Sequence, residues 1–150
     1  MKSLKSLYQS QLKHRIVEVS AHCDLFCGVY DPAQARIEAQ AVYNAIEKYQ
    51  ASEDQVFRQR AVMIKEERAE LVKQHLWVLW TDYFKPDHLK TIPDLHQLFW
   101  QATKAASQAK KTMEISDAQN LIEAVDQVGQ AFALTKPGYN YQAVVDNLQT

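Results

Sequence analysis

The stretch Asp31-Pro32-Ala33-Gln34-Ala35-Arg36-Ile37-Glu38-Ala39 decides the fold. Asp31 is a good N-cap, because a short carboxylate can accept from the free amides of a first helical turn. Pro32 suits the first helical position, where no amide hydrogen is needed, and Gln34 completes a capping box. Ala35, Ala39, Val42, Ile46 and Tyr49 then recur at helical spacing, which predicts a first helix to about residue 50.

Downstream the same signals repeat. Ser52 with Gln55 opens a long second helix with Phe57, Ala61, Ile64, Leu71 and Val78 on one face, and Lys85-Pro86 stops it. Thr91 and Pro93 open a third, whose stripe is Leu95, Leu98, Ala102, Ala105 and Ala109. Ser116 with Gln119 opens a fourth, carrying Leu121, Val125, Val128 and Phe132, and Lys136-Pro137-Gly138 ends it. The tail from Tyr139 to Thr150 reads either as a short extra helix or as a frayed end. Three glycines and four prolines in 150 residues leave few turns, which fits a few long helices better than many strands. Short connections between four amphipathic helices imply an all-α, antiparallel up-down four-helix bundle. At this length the chain reads as one domain, 22–150, preceded by a distinct segment, 1–21.

Charge and pattern narrow the function. A formal net charge of −1 argues against nucleic acid as a partner. No run is long and apolar enough to predict a membrane span, and no internal repeat is visible. Arg68 interrupts the second stripe between Ile64 and Leu71, with Arg60 two turns earlier on nearly the same face. A guanidinium there needs a carboxylate or reaches water along its apolar stem. Glu38 on the first helix is a plausible partner.

Upstream of Asp31 lies His22-Cys23-Asp24-Leu25-Phe26-Cys27-Gly28-Val29-Tyr30, which holds both cysteines of the chain. Two cysteines make no disulfide framework, so a reduced, cytosolic thiol pair is the simpler reading. Two thiolates and one imidazole are one ligand short of a closed tetrahedral zinc site. Were the chain cut after Ala21, His22 would add a free α-amine, and the Cys23 amide could deprotonate under a strongly binding metal. Amine, amide and two thiolates form a planar set suited to Ni(II) or Cu(II), with the His22 imidazole left for the axial direction. On these residues alone, the loop is a metal site, a redox site or a pair of buried thiols.

Residues 1–21 carry Lys2, Lys5, Lys13 and Arg15 against Glu18, and setting them aside moves the rest of the chain from −1 to −4. Leu4, Tyr8, Leu12 and Ile16 form a weak amphipathic stripe, and no apolar core of a secretory signal is present. Val19-Ser20-Ala21 ends in the small residues a peptidase favours, yet spacing alone favours a retained basic helix. A retained leader would leave a non-catalytic bundle with a thiol metal-binding or redox loop.

The segment from His22 through Cys27-Gly28-Val29-Tyr30-Asp31-Pro32 to Ala39 resembles the nickel hook of the nickel-dependent superoxide dismutases. The resemblance continues in Arg60-Ala61, in Ile64-Lys65-Glu66-Glu67-Arg68-Ala69-Glu70-Leu71, in Leu79-Trp80-Thr81-Asp82-Tyr83-Phe84-Lys85-Pro86 and in Leu95-His96-Gln97-Leu98. It implies a precursor whose leader a dedicated maturation peptidase removes between Ala21 and His22. It implies a nickel ion for each mature chain, held by the His22 amine, the Cys23 amide and the Cys23 and Cys27 thiolates, with the His22 imidazole axial. Nickel cycling between Ni(III) and Ni(II) would then convert superoxide to dioxygen and hydrogen peroxide. Tyr30, with Asp24 and Tyr83, matches the residues that line the access path. Glu38 and Arg68 match the pair that orients the axial imidazole. The resemblance also implies a cytoplasmic homohexamer. Apolar surface around Trp77 and Trp80 would serve its interface, although pattern alone places both tryptophans in the core.

One position departs from the family. Its hook has a cis proline between the leucine and the second cysteine, and this chain has Phe26. A non-proline residue needs about 2.5–4 kcal/mol for the same bond geometry. Phe26→Pro is therefore expected to speed nickel loading of the cut chain. Equal uptake rate, affinity and turnover in the two forms would show that Phe26 costs nothing.

Overall fold

The computed structural model describes residues 29–148. Helix α1 spans Ala33–Ala51, α2 Gln55–Val78, α3 His88–Thr91, α4 Leu95–Lys111, α5 Ile115–Thr135 and α6 Tyr141–Leu148. A π-helical turn, Leu79–Tyr83, follows α2 directly. Among the described residues every element is helical.

Cross-helix pairs fix the directions of the four long helices. From α1 to α2, Arg58 Nε donates to the Tyr49 carbonyl near the connecting turn, and Arg68 meets Glu38 further back. From α2 to α4, Lys65 meets the chain at Lys110 while Trp80 packs on Phe99. From α4 to α5, Gln108 reaches Asp117. Between α5 and α1, Gln50 donates to the Met113 carbonyl at one end and Lys136 to the Tyr30 carbonyl at the other. Each neighbour therefore runs antiparallel to the last, as an up-down-up-down bundle requires.

The stripes of α1 and α5 are where the sequence places them. Ala35, Ala39, Val42 and Ile46 on α1 and Leu121, Val125, Val128 and Phe132 on α5 are fully buried. On α4 the seam is Leu95, Phe99, Ala102, Ala106 and Ala109, so Leu98 and Ala105 flank it. The helix begins at Leu95, after the separate turn of α3, two residues beyond Pro93. The expectation for α2 needs the largest correction. Its seam is Ala61, Lys65, Ala69, Val72 and Leu76, while Phe57 and Ile64 face solvent. Its cap is Asp54, whose carboxylate accepts from the amides of Val56 and Phe57; Ser52 serves the Asp54 amide instead. Regular helix ends at Val78, seven residues before Lys85, and the wider turn carries the chain on to Tyr83. Trp77 is 46% exposed and is not core, whereas Trp80 is half-buried against His96 and Phe99.

Two charged side chains lie inside the bundle. Lys65, only 2% exposed, donates from Nζ to the carbonyls of Lys110 and Thr112 at 2.6 and 2.8 Å. These belong to the C-terminal end of α4, where carbonyls lack helical partners and the helix dipole favours a cation. Burial holds the ammonium below the usual lysine range, Glu66 opposes that, and nearby Lys110 adds to it. Arg36 is also buried; its Nε donates to Asp126 Oδ1 at 2.9 Å and its Nη1 to Gln40. Tyr141 donates to the same Asp126 oxygen at 2.7 Å. The Tyr141 ring lies flat against Gly129, where any Cβ would collide with it. The tail is thus a docked helix, the first of the two alternatives its sequence left open.

Candidate metal centre

Val29 is the first described residue, so His22, Cys23, Asp24, Phe26, Cys27 and the Ala21–His22 junction lie outside the described residues. Among the described residues no group of three His, Cys, Asp or Glu side chains is placed to hold a metal ion. Both cysteines precede Val29. The thiolates that a nickel site would use fall in residues 22–27, and their chemistry fits that ion. Thiolates with nitrogen donors in a planar array suit that ion, whereas hard-ion sites are built from oxygens.

The first described residues lie at the end of the bundle formed by the start of α1, the π-helical turn and the close of α5. Tyr30 and Tyr83 lie there with ring centroids 5.7 Å apart, tilted by 54°. The π-helical turn delivers Tyr83: its i→i+5 bond, from the Phe84 amide to the Leu79 carbonyl, is 3.0 Å long. The Tyr83 ring packs on Phe132 at 4.4 Å and edge-on against Phe84 at 5.0 Å, and His88 lies 5.7 Å away. Its hydroxyl shares a 2.9 Å hydrogen bond with Thr135 Oγ1, which in turn donates to the Phe132 carbonyl. With Thr135 donating to that carbonyl, Tyr83 is the donor to Thr135, and its hydroxyl oxygen keeps lone pairs for another donor.

Glu38 and Arg68 are joined. Arg68 Nη1 lies 3.2 Å from one Glu38 oxygen and 3.4 Å from the other. The arginine is half-exposed and the glutamate largely buried, which is how a guanidinium sits on an apolar helix without standing unpaired. Arg60, expected nearby on the same face, is exposed and lines a surface groove of about 390 Å³ with Phe57 and Ile64.

Sequence reasoning missed the residues around Asp31. Pro32, not Asp31, takes the N-cap position of α1; the Asp31 carboxylate, one residue earlier, accepts from the Ala33 amide at 2.8 Å and also from the Tyr139 hydroxyl at 2.6 Å. Lys136 Nζ donates to the Tyr30 carbonyl at 3.2 Å and stands over the rings of Phe132 and Tyr139. A Lys-Pro-Gly terminator followed by tyrosines signals a helix stop in sequence, and nothing local reveals that it folds back on residues 30–31.

The chain matches the sequence model described as nickel-containing superoxide dismutase over residues 17–136. It is 52% identical to the superoxide dismutase [Ni] of Streptomyces seoulensis over 120 residues, 80% of this chain and 92% of that protein. The Streptomyces coelicolor protein of the same name is 51% identical over the same shares. Among solved structures, a native nickel superoxide dismutase superposes with a TM-score of 0.73 at 49% identity. A second, with nickel ligation corresponding to the oxidised state, gives 0.73 at 51%; each match covers 76% of this chain and 97% of the other. Helical bundle and relatives together define the class, a helical-bundle metalloenzyme of the oxidoreductases. The chain belongs to the nickel-containing superoxide dismutase family.

Proposed function

We infer that this protein is a superoxide dismutase working through a nickel centre held by His22, Cys23 and Cys27. The observation that carries the reading is the family match, which runs through all three donors from residue 17 to residue 136. The His22 amine, the Cys23 amide and the two thiolates would hold the nickel, which would supply the one-electron couple needed to convert two superoxides and two protons to dioxygen and hydrogen peroxide.

The protein's own groups orient and admit. Glu38, paired with Arg68, is the carboxylate that orients the His22 imidazole, the kind of support metal-bound histidines need. Tyr30 and Tyr83, with Asp24, form the entry, and Tyr83, its hydroxyl proton committed to Thr135, serves as a ring wall. Tyr83 is fixed for this by Phe132 and Thr135. Glu38→Gln removes the charge and keeps the shape. It is expected to lower superoxide consumption by about ten- to a hundredfold while the helical content stays intact. Full activity in that variant would remove Glu38 from the site.

The same reading makes residues 1–21 a leader that a dedicated peptidase removes before His22, and makes the mature protein a cytoplasmic homohexamer. The exposed apolar side chains Ile37, Phe57 and Ile64 along α1 and α2 support an assembly. Among the described residues no helix is long and apolar enough to cross a membrane. Co-expression with a matching peptidase and nickel, followed by N-terminal mass, metal content and superoxide consumption on one sample, tests the whole reading. An uncut chain that holds no nickel and leaves superoxide untouched would overturn it.

A further inference from the structure

The family match ends at residue 136, yet the chain continues as an ordered turn and helix α6. That segment makes specific contacts to the two residues that connect the hook to the bundle. Lys136 donates to the Tyr30 carbonyl, and the Tyr139 hydroxyl to the Asp31 carboxylate at 2.6 Å. Gly138, at φ +78°, reverses the chain between them, and the Tyr139 amide closes the turn on the Lys136 carbonyl at 3.1 Å. Both side chains are thereby turned toward residues 30 and 31. The Tyr139 ring is held edge-on by Phe132 at 5.0 Å, so its hydroxyl has little freedom to leave Asp31. Burial and the Asp31 carboxylate both push the Tyr139 hydroxyl well above the usual tyrosine range, which keeps its proton on. Further along, α6 is pinned by Tyr141 against Gly129 and Asp126.

We propose that the turn over residues 136–139 is a clamp on the foot of the nickel hook, with Tyr139 as a positioning residue that fixes Asp31 and, through it, the entry of the chain into the metal loop. The inference rests on the nickel reading for its consequence and on the Tyr139–Asp31 hydrogen bond for its mechanism. Cys27 lies four residues before Asp31, so angular play at Asp31 becomes displacement of a metal ligand. A hydrogen bond to a charged acceptor is strong enough that losing it is felt as about a tenfold effect.

The test compares the full chain, cut before His22, as wild type, Tyr139→Phe and Tyr141→Phe. Amide exchange over residues 29–34 is read on the metal-free protein, and nickel release and the Ni(III) electron paramagnetic resonance signal on the loaded one. Tyr139→Phe is expected to speed exchange over 29–34 and nickel release by about tenfold and to alter the resonance signal. Tyr141→Phe is expected to lower Tm and leave all three unchanged. Unchanged exchange in Tyr139→Phe, or equal changes in both variants, would overturn the clamp. A wild-type chain that takes up no nickel refutes the metal reading instead, and the exchange data still decide the clamp.

Discussion

Replacing either Cys23 or Cys27 with serine, in a chain that begins at His22, is expected to abolish nickel retention and to lower superoxide consumption at least about a hundredfold. A serine hydroxyl is a hard donor with a far higher pKa than a thiol and does not ionise under these conditions. The proposed donor set would then lose one of its two thiolates, and with it the electron donation that would stabilise the oxidised metal. Metal content by mass spectrometry and superoxide decay under pulse radiolysis read the two losses separately. The bundle itself should not respond, because the described core, from Ala35 to Val145, contains neither cysteine. A serine variant that keeps nickel and activity would move the site away from residues 22–27.

The largest effect on stability is expected at Lys65, 2% exposed and bonded to two carbonyls at the end of α4. Lys65→Met preserves the stem and most of the volume, so no large cavity opens. What it removes is the ammonium that donates to the carbonyls of Lys110 and Thr112. Leaving buried acceptors without a donor costs about 1–3 kcal/mol each, offset in part by no longer dehydrating an ammonium. The net expectation is about 2–4 kcal/mol lost, read as the shift in a urea midpoint at unchanged slope. A variant within about half a kcal/mol of wild type would mean that Lys65 only fills space.

Lys65 also explains where the sequence could and could not be read. Helices α1 and α5 carry unbroken apolar stripes, and these fall where periodicity puts them. On α2 the true seam passes through a lysine. A pattern that scores lysine as surface therefore slides to the neighbouring face, through Phe57, Ile64 and Leu71. The partner that makes a buried lysine tolerable is a pair of backbone carbonyls 45 and 47 residues away, and no local window contains them. Arg68 is the opposite case. Its place on a stripe already asked for a carboxylate, and Glu38 supplies it. The aromatic end of the bundle was half legible: Tyr30 and Tyr83 carry recognisable motifs, but Thr135 reaches Tyr83 across 52 residues of chain and Lys136 reaches Tyr30 across 106. Asp31 looked like the helix cap; Pro32 takes that position, and the Asp31 carboxylate, one residue earlier, accepts from the Ala33 amide. Its second task, as acceptor for Tyr139, depends on tertiary structure alone.

Gly129 and Tyr141 fit together as a socket and its plug, with no room between them for even one methyl group. A bundle with any side chain at the socket could not seat this tail, and a tail without the ring would leave a hollow over α5. The two positions therefore form a single transferable unit. Grafting the last dozen residues onto a shorter homologue would succeed only if the glycine travelled with them.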